Sequence, residues 1–364
     1  MVSSCPLPGS IQPLRLTHVR NAQRVWQRSM IAGFLLVLST SAVFADAKDS
    51  KLTYISFDPP GSIDTEPVGI NRNGTITGFY YAPKMHSFVR ERDGNITKID
   101  FRGASATMAK SINDAGAIVG TYWEGSTLTG HGFIRQPDGS MISFDPVGST
   151  ETEPVSIESD GTIAGTYYDA NGIPHGFIRT NHGAIESFDP PRSEGTYVTA
   201  SNSEGVITGY YNEGLYQHGF VRTQRGDYTS FDAPGEIATM PSAITRDNEI
   251  VGSSYGSDMY EVHGFMRPHH GKITMINGPQ AVGTFPEGIT AGEEIVGSYV
   301  GAATANQGFL RNRQGVLVTL RFPGASSTDA KAISPRGTIT GNYVQGNGHP
   351  HGFVLLGKCD ECGR

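Results

Sequence analysis

Apolar and polar residues alternate in short runs along most of this chain, and turn residues separate one run from the next. Four such runs, EPVSIES, GTIAGTYY, PHGFIRT and AIESFD, follow one another between residues 153 and 189, and SDG and NHG form two of the connections. A period of two is typical of a strand, and no segment shows a convincing helical stripe. We therefore predict four short antiparallel strands in this stretch.

The same four-run plan returns along the chain, which identifies a repeat. Aligned on a threonine in the first strand of each unit, the copies are separated by 42, 45, 44, 43, 45 and 44 residues. Four antiparallel strands in about 44 residues are typical of a propeller blade, so we predict an all-β fold, a seven-bladed β-propeller. The aligned threonines are Thr65, Thr107, Thr152, Thr196, Thr239, Thr284 and Thr328.

The two ends of the repeat region complement each other. The last unit stops after HGFVLL and lacks a fourth strand, whereas residues 52–57 form a fourth strand with no preceding three. Pairing them would remove the exposed edges of an open array. We therefore expect residues 52–357 to form one domain, closed by the N-terminal strand.

Three further positions repeat with the strands. A histidine begins the third strand in six units, and Gln307 takes its place in the remaining one. A glycine inside each second strand is expected to allow close approach of a neighbouring aromatic ring or blade. We expect the hydroxyls of the aligned threonines to form hydrogen bonds within their own loops. We expect Asp58 of the FDPPG turn and Asp189 of the FDPPR turn to form hydrogen bonds with nearby backbone groups. The histidines are His86, His131, His175, His218, His263 and His351.

The unit F-D-P-x-G, T-x-P, I-N-x-x-G-x-I-x-G-x-Y, H-G-F-x-R resembles the bacterial extracellular HAF repeat, named after a His-Ala-Phe motif. The resemblance covers residues 52–357, with glycine in place of the alanine and Ser87 in the first copy. It implies export and a repetitive β fold, and it implies no particular reaction.

The repeated histidines could suggest a metal site or a catalytic base. Neighbouring blades would hold them about 14 Å apart at the third strand, whereas zinc needs its ligands about 2 Å from one centre. We therefore expect a structural role, with each imidazole bonded to a loop hydroxyl or carbonyl. We expect no metal and no cofactor.

The chain termini carry other signals. Residues 1–45 contain four arginines and no acid, then the apolar run MIAGFLLVL and small residues, as in a secretory signal peptide. An uncleaved membrane anchor is the alternative. Residues 46–51 would be a short linker, and residues 358–364 a tail in which Cys359 and Cys362 form a local disulfide or remain thiols. The mature chain should be secreted, without a membrane span and monomeric.

Charge restricts the partners. Without residues 1–45 the chain has 24 basic and 35 acidic side chains, a formal charge of −11. Because an acidic surface repels phosphate backbones, we exclude nucleic acid as a partner.

Function should lie where the repeat varies, and the position after each aligned threonine varies most. If these side chains turn inward, Glu66 and Asp329 become neighbours on closure, and Tyr197 and Phe285 lie opposite. Carboxylates and aromatic rings suit a sugar, although an acidic site could equally take a cation or a basic protein segment. We predict a binding site from Glu66, Glu153, Tyr197, Phe285 and Asp329. Solvated loop tips are the alternative.

Two functions compete for this site. The first hypothesis is a secreted, non-enzymatic protein that binds a glycan, a surface component or a protein. The alternative is a propeller glycoside hydrolase or lyase that uses Glu66 and Asp329 as acid and base. The sequence shows no nucleophile elbow, metal-ligand cluster or phosphate loop, so we expect binding.

Overall fold

The computed structural model describes residues 52–125, 129–257, 261–302 and 305–357. Within these ranges it has 28 strands and no helix, so the predicted all-β class is confirmed. No helix there is long and apolar enough to span a membrane. The signal segment, the linker, Cys359 and Cys362 lie outside the described residues.

The strands form seven units of four. Units 1 to 4 contain β2 (Asp64–Ile70), β3 (Ile76–Ala82), β4 (Lys84–Arg90) and β5 (Ile96–Ile99); β6 (Ala104–Ile112), β7 (Ile118–Glu124), β8 (Gly130–Arg135) and β9 (Met141–Phe144); β10 (Glu151–Ile157), β11 (Ile163–Tyr168), β12 (Pro174–Arg179) and β13 (Ile185–Phe188); and β14 (Gly195–Ser201), β15 (Ile207–Glu213), β16 (Tyr216–Arg222) and β17 (Tyr228–Phe231).

Units 5 to 7 follow the same order. They contain β18 (Ala238–Ile244), β19 (Ile250–Tyr255), β20 (Val262–Arg267) and β21 (Thr274–Ile276); β22 (Ala281–Ile289), β23 (Ile295–Gly301), β24 (Gln307–Arg311) and β25 (Leu317–Leu320); and β26 (Ser327–Ile333), β27 (Ile339–Val344) and β28 (Pro350–Leu355), with β1 (Tyr54–Phe57) as the fourth strand.

Each unit is an antiparallel sheet in which consecutive strands pair. The fourth strand of unit 7 comes from the other end of the chain, because β1 pairs antiparallel with β28 from Tyr54 opposite Leu355 to Phe57 opposite Gly352. The pairing found between the termini is the one expected from the incomplete last repeat.

The core lies between successive units. One phenylalanine of each third strand is fully buried in all seven units. It follows a His-Gly pair in five units, Gln-Gly in unit 6 and His-Ser in unit 1. It meets side chains of the preceding unit, as where Phe88 packs with Phe57 and Val354. Arginines at the end of four third strands lie 4.8–5.0 Å from the centroid of a phenylalanine ring in the preceding unit. The consensus F-x-R motif is therefore a connection between units.

The glycine of each second strand has a different neighbour from the one expected. A Cβ at Gly209 would lie 2.0 Å from the carbonyl oxygen of Tyr197, and the equivalent contact in unit 7 is 1.9 Å. The close approach is therefore made chiefly by the first strand of the same unit, rather than by an aromatic ring or by the next blade. No side chain fits at this position.

Every first strand carries a β-bulge next to that glycine. In unit 1 the register shifts between Pro67 and Gly69, and the other six units shift at the equivalent position. Bulges re-aim side chains and increase local twist. The extra residue lies two positions after the variable site residue and is partly exposed in every unit, which makes it a second position for chemistry.

Candidate functional site

A hydrogen-bonded network supports the repeat at the start of the first strands. In unit 3, Asp189 accepts a bond of 2.5 Å from the Thr196 hydroxyl and one of 2.7 Å from His175 Nδ1. Asp58 and Asp145 make the same pair of contacts with the threonine and histidine equivalent to these. The aspartates expected to bind nearby backbone thus bind a hydroxyl and an imidazole instead.

Proline decides which partner the threonine takes. Asp58, Asp145 and Asp189 are each followed by proline, which has no N–H, and there the hydroxyl donates to the carboxylate. In the other four units a residue with an N–H stands in place of the proline, and this N–H donates to the threonine oxygen instead. The threonine hydroxyls are bonded locally in all seven units, so they support the scaffold.

The histidines are structural in their contacts, but their partner differs from the expected hydroxyl or carbonyl. Five of them place Nδ1 2.7–2.8 Å from an aspartate oxygen, and His263 lies 3.2 Å from the Asn277 side-chain oxygen. Among the described residues no group of three His, Cys, Asp or Glu could hold a metal ion.

The five predicted site residues lie within first strands and not in loops. Each follows an aligned threonine that is nearly or fully buried, and each is itself partly exposed. The structure brings Glu66 and Asp329 into one electrostatic group, and Glu153 and Tyr197 into another. Phe285 lies in unit 6, next along the chain to the unit of Asp329.

The first group is organised by an amide. Asn342 pairs with Asp329 across the first two strands of unit 7, and its Nδ2 donates a hydrogen bond to Glu66 Oε2 of unit 1. A second amide, Asn306, donates to Asp329 at 2.9 Å. Two carboxylates from the two ends of the repeat region therefore flank one side chain.

A lysine lies beside these acids. Lys331 Nζ is 3.8 Å from Glu287 Oε1, and the two side chains keep 27% and 36% of their surface accessible. Both occupy the bulge position of their strands, in adjacent units. Both charged side chains therefore keep contact with solvent although they lie within a first strand.

The charges perturb one another. Burial raises the pKa of Glu66, and the negative charges of Asp329 and Asp64 raise it further. The positive charge of Lys331 and the hydrogen bond from Asn342 act in the opposite direction. The net pKa of Glu66 lies above the usual range. Burial lowers the pKa of Lys331, but Glu287, Asp329 and Glu66 outweigh that effect, and the net pKa is raised. Lys331 therefore stays a cation, whereas Glu66 holds a proton more readily than an ordinary glutamate.

The second group contains Lys110, the acids Glu151 and Glu153, and a pair of stacked tyrosines. Burial and, second to it, Glu153 raise the pKa of Glu151 to about 7, although a hydrogen bond from Trp123 opposes the rise. Burial lowers the pKa of Lys110, and Glu153 opposes that change. The Tyr197 ring stacks on a second tyrosine, Tyr210, with centroids 4.7 Å apart.

Three charged residues of the site were missed from the sequence: Lys110, Glu287 and Lys331. A signal existed, because period-two alternation puts the second residue after the variable one on the same face of the strand. Lysine or glutamate at that place in three first strands is unusual for a strand interior.

A scan against protein-family models and a search of curated proteins each found no match. Solved structures do match. Virginiamycin B lyase from Staphylococcus aureus, as a catalytically inactive variant with quinupristin, is 17% identical with a TM-score of 0.56, over 84% of this chain and all of that one. Oligogalacturonate lyase in complex with manganese is 9% identical with a TM-score of 0.56, over 84% and 96%.

The β-propeller domain of the trilobed protease from Pyrococcus furiosus is 10% identical with a TM-score of 0.60, over 81% of this chain and 96% of that domain. At these identities the likeness shows the fold alone, which is a β-propeller. The expected non-enzymatic function is nevertheless overturned, because the neighbours include lyases.

Proposed function

We propose that this chain is a propeller lyase in which Glu66 and Asp329 act as acid and base. The observation that carries the proposal is the amide of Asn342, which lies beside Asp329 and bonds Glu66, with Lys331 close by. Two carboxylates in unlike environments can divide the roles of proton donor and acceptor. The raised pKa of Glu66 suits the donor.

Elimination from a uronic acid uses all three groups. Asp329 takes the proton next to the substrate carboxylate, the electron pair forms a carbon–carbon double bond, and the glycosidic oxygen leaves with a proton from Glu66. Negative charge develops on the substrate carboxylate during this step, and the Lys331 ammonium would stabilise it. The step needs no oxidant, reductant or water.

An acidic oligosaccharide is the substrate class that fits the surroundings. Lys110 and Lys331 would attract carboxylates in an otherwise acidic molecule, and the stacked Tyr197 and Tyr210 offer a face for a sugar ring. The oligogalacturonate lyase among the structural neighbours supports the same class. Hydrolysis is the second candidate, because the Glu66 and Asp329 pair is also the chemistry of a glycosidase.

The test is turnover of uronate oligosaccharides, oligogalacturonate among them, with neutral glucans as controls. Elimination gives an unsaturated product that absorbs in the ultraviolet, and hydrolysis gives new reducing ends without that absorbance. We expect Glu66→Gln and Asp329→Asn each to lower kcat by about 100-fold or more. Glu204→Gln, half-exposed and paired with Arg246 at 2.8 Å, should leave kcat unchanged.

The pH profile adds a second check. Because the donor must be protonated, kcat should fall as pH rises through the raised pKa of Glu66, and Glu66→Gln should remove that limb. Absence of turnover on every uronate, or full activity of Glu66→Gln, would disprove the proposal.

We further propose that the seven units are blades of one closed ring, of the HAF-repeat type. Pairing of β1 with β28 supports closure. So do two contacts between units 7 and 1, the Asn342 to Glu66 hydrogen bond and the 2.7 Å contact of His349 Nδ1 with Asp64.

A further inference from the structure

The second charged group, around Lys110 and Glu153, is separate from the acid–base pair. It draws on units 2, 3 and 4, whereas Glu66 and Asp329 belong to units 1 and 7. The charges that act on Lys331 lie in units 1, 6 and 7, whereas the charge that acts on Lys110 lies in unit 3. The proposed proton transfers therefore leave the second group unused.

Lys110 is a cation with no anion in contact. It occupies the bulge position of β6, as Lys331 does in β26. Lys331 has an ion pair with Glu287, but the Lys110 ammonium has neither a hydrogen bond nor an ion pair among the described residues. Since its side chain is partly exposed, a carboxylate of a ligand can supply the missing partner.

Two acids of unit 3 lie beside this lysine. Glu151 and Glu153 are two positions apart on β10, so their side chains leave the same side of the strand. The Trp123 indole donates to Glu151, and both pack over Gly130, where a Cβ would lie 2.9 Å from Nε1 and 3.1 Å from Oε1. Glu153 has no hydrogen bond within the described part of the chain, so its oxygens can accept bonds from ligand hydroxyls.

Three tyrosines extend the group towards unit 4. Tyr168 lies opposite Glu151 in the sheet of unit 3, and burial raises its pKa together with the charges of Glu153 and Tyr197. Tyr197 and Tyr210 stack on each other. All three tyrosine side chains are partly exposed, so they present aromatic surface to a ligand.

We propose that this group is a second subsite, which binds a non-reacting uronate of the oligosaccharide that is cleaved at Glu66 and Asp329. Lys110 pairs with the uronate carboxylate, Glu153 accepts hydroxyl hydrogen bonds, and Tyr197 packs on the sugar ring. An inorganic anion would use the lysine alone, and a neutral sugar would leave it without a partner.

The subsite also sets the length of the substrate. Packed sheets lie about 10 Å apart, so Lys110 of unit 2 and Lys331 of unit 7, with unit 1 between them, are separated by up to about 20 Å. A monosaccharide cannot bridge that distance, and the substrate is therefore an oligouronate of about three sugar residues or more. The choice of ligand rests on the proposed lyase function.

Calorimetric titration of the Asp329→Asn chain with trigalacturonate tests the subsite without consuming the ligand. We expect Lys110→Gln and Tyr197→Ala each to weaken binding by about tenfold or more. Tyr197→Phe keeps the aromatic face and should bind as the parent chain does. Lys98→Gln is the matched control, because Lys98 lies on the fourth strand of unit 1 and pairs with Asp100 at 2.8 Å. Galacturonate monomer should bind about tenfold more weakly than the trimer, or less tightly still.

Turnover separates this inference from the lyase function. Binding that depends on Lys110, without turnover by the chain that keeps Asp329, supports the subsite and contradicts the lyase. Turnover together with unchanged affinity in Lys110→Gln and Tyr197→Ala does the reverse. The subsite would also be overturned by failure to bind trigalacturonate, by monomer binding as tight as that of the trimer, or by an equal loss of affinity in Lys98→Gln.

Discussion

A contact between an imidazole Nδ1 and an aspartate oxygen, 2.7–2.8 Å long, recurs in five units. In each pair the histidine lies on a third strand, and the aspartate directly follows a fourth strand. Within units 1 to 4 the two residues are 14 positions apart in the sequence. The sequence therefore held the information needed to name the partner. The structural role was predictable because seven repeated positions cannot converge on one centre; the carboxylate partner required pairing two motifs across a hairpin.

Burial should rank these histidines by their effect on stability. The His86 side chain is 8% exposed and contacts Asp100 at 2.7 Å, whereas that of His263 is 30% exposed and lies 3.2 Å from Asn277. We expect His86→Ala to lower the free energy of unfolding by about 1–3 kcal/mol. His263→Ala should cost less, because its neutral partner stays in contact with water. Urea denaturation measures both, and equal losses would contradict this ranking.

At the scale of the strand, simple alternation predicted most elements within two residues. The run PHGFIRT became β12 (Pro174–Arg179), and AIESFD became β13 (Ile185–Phe188). What alternation could not give is the bulge in the first strand, because one extra residue leaves no trace in a hydrophobic pattern. Lys110, Glu287 and Lys331 lie at that bulge, so the sequence shows their unusual charge in a strand but not that they join the site.

The close packing of first and second strands predicts a severe effect of one methyl group. Gly209→Ala would place Cβ 2.0 Å from the Tyr197 carbonyl oxygen and 3.0 Å from Phe220. Because the opposing atom is backbone, the strands must separate, and we expect a loss of about 3 kcal/mol or more in unfolding free energy, or failure to fold. Gly346→Ala is the control, since nothing lies within 4 Å there, and its stability should stay within about 0.5 kcal/mol of wild type. A mild effect of Gly209→Ala in thermal denaturation would contradict the close approach.

At the scale of the whole molecule, the junction of units 7 and 1 holds the proposed acid–base pair. Glu66 belongs to unit 1 and Asp329 to unit 7, and Asn342 of unit 7 donates a hydrogen bond to Glu66. The repeat count and the incomplete last unit predicted this meeting of the ends, but they could not give its chemistry. Export through residues 1–45 stays a prediction, which cleavage of the full chain in a secreting host would test.

The N-terminal strand should therefore be as important to stability as any internal strand. Phe57 is 8% exposed and packs 5.8 Å from Phe88 between ring centroids, under the Arg90 guanidinium, so β1 holds units 7 and 1 at once. Removing its ring in Phe57→Ala should cost about 3–5 kcal/mol, as expected for a buried phenylalanine. The matched control is Phe231→Ala, in which the equivalent ring lies under Arg267 within the continuous chain.

If the ring is closed, the two substitutions should lower the melting temperature by similar amounts, and deletion of residues 46–58 should lower it further and promote association through the exposed edge of β28. If the ring is open, β1 contributes little, and Phe57→Ala and the deletion should both melt close to wild type while Phe231→Ala does not. Differential scanning calorimetry with light scattering separates these outcomes, because a closed ring connects the stability of its first strand to that of every unit, whereas an open array lets its ends fray independently.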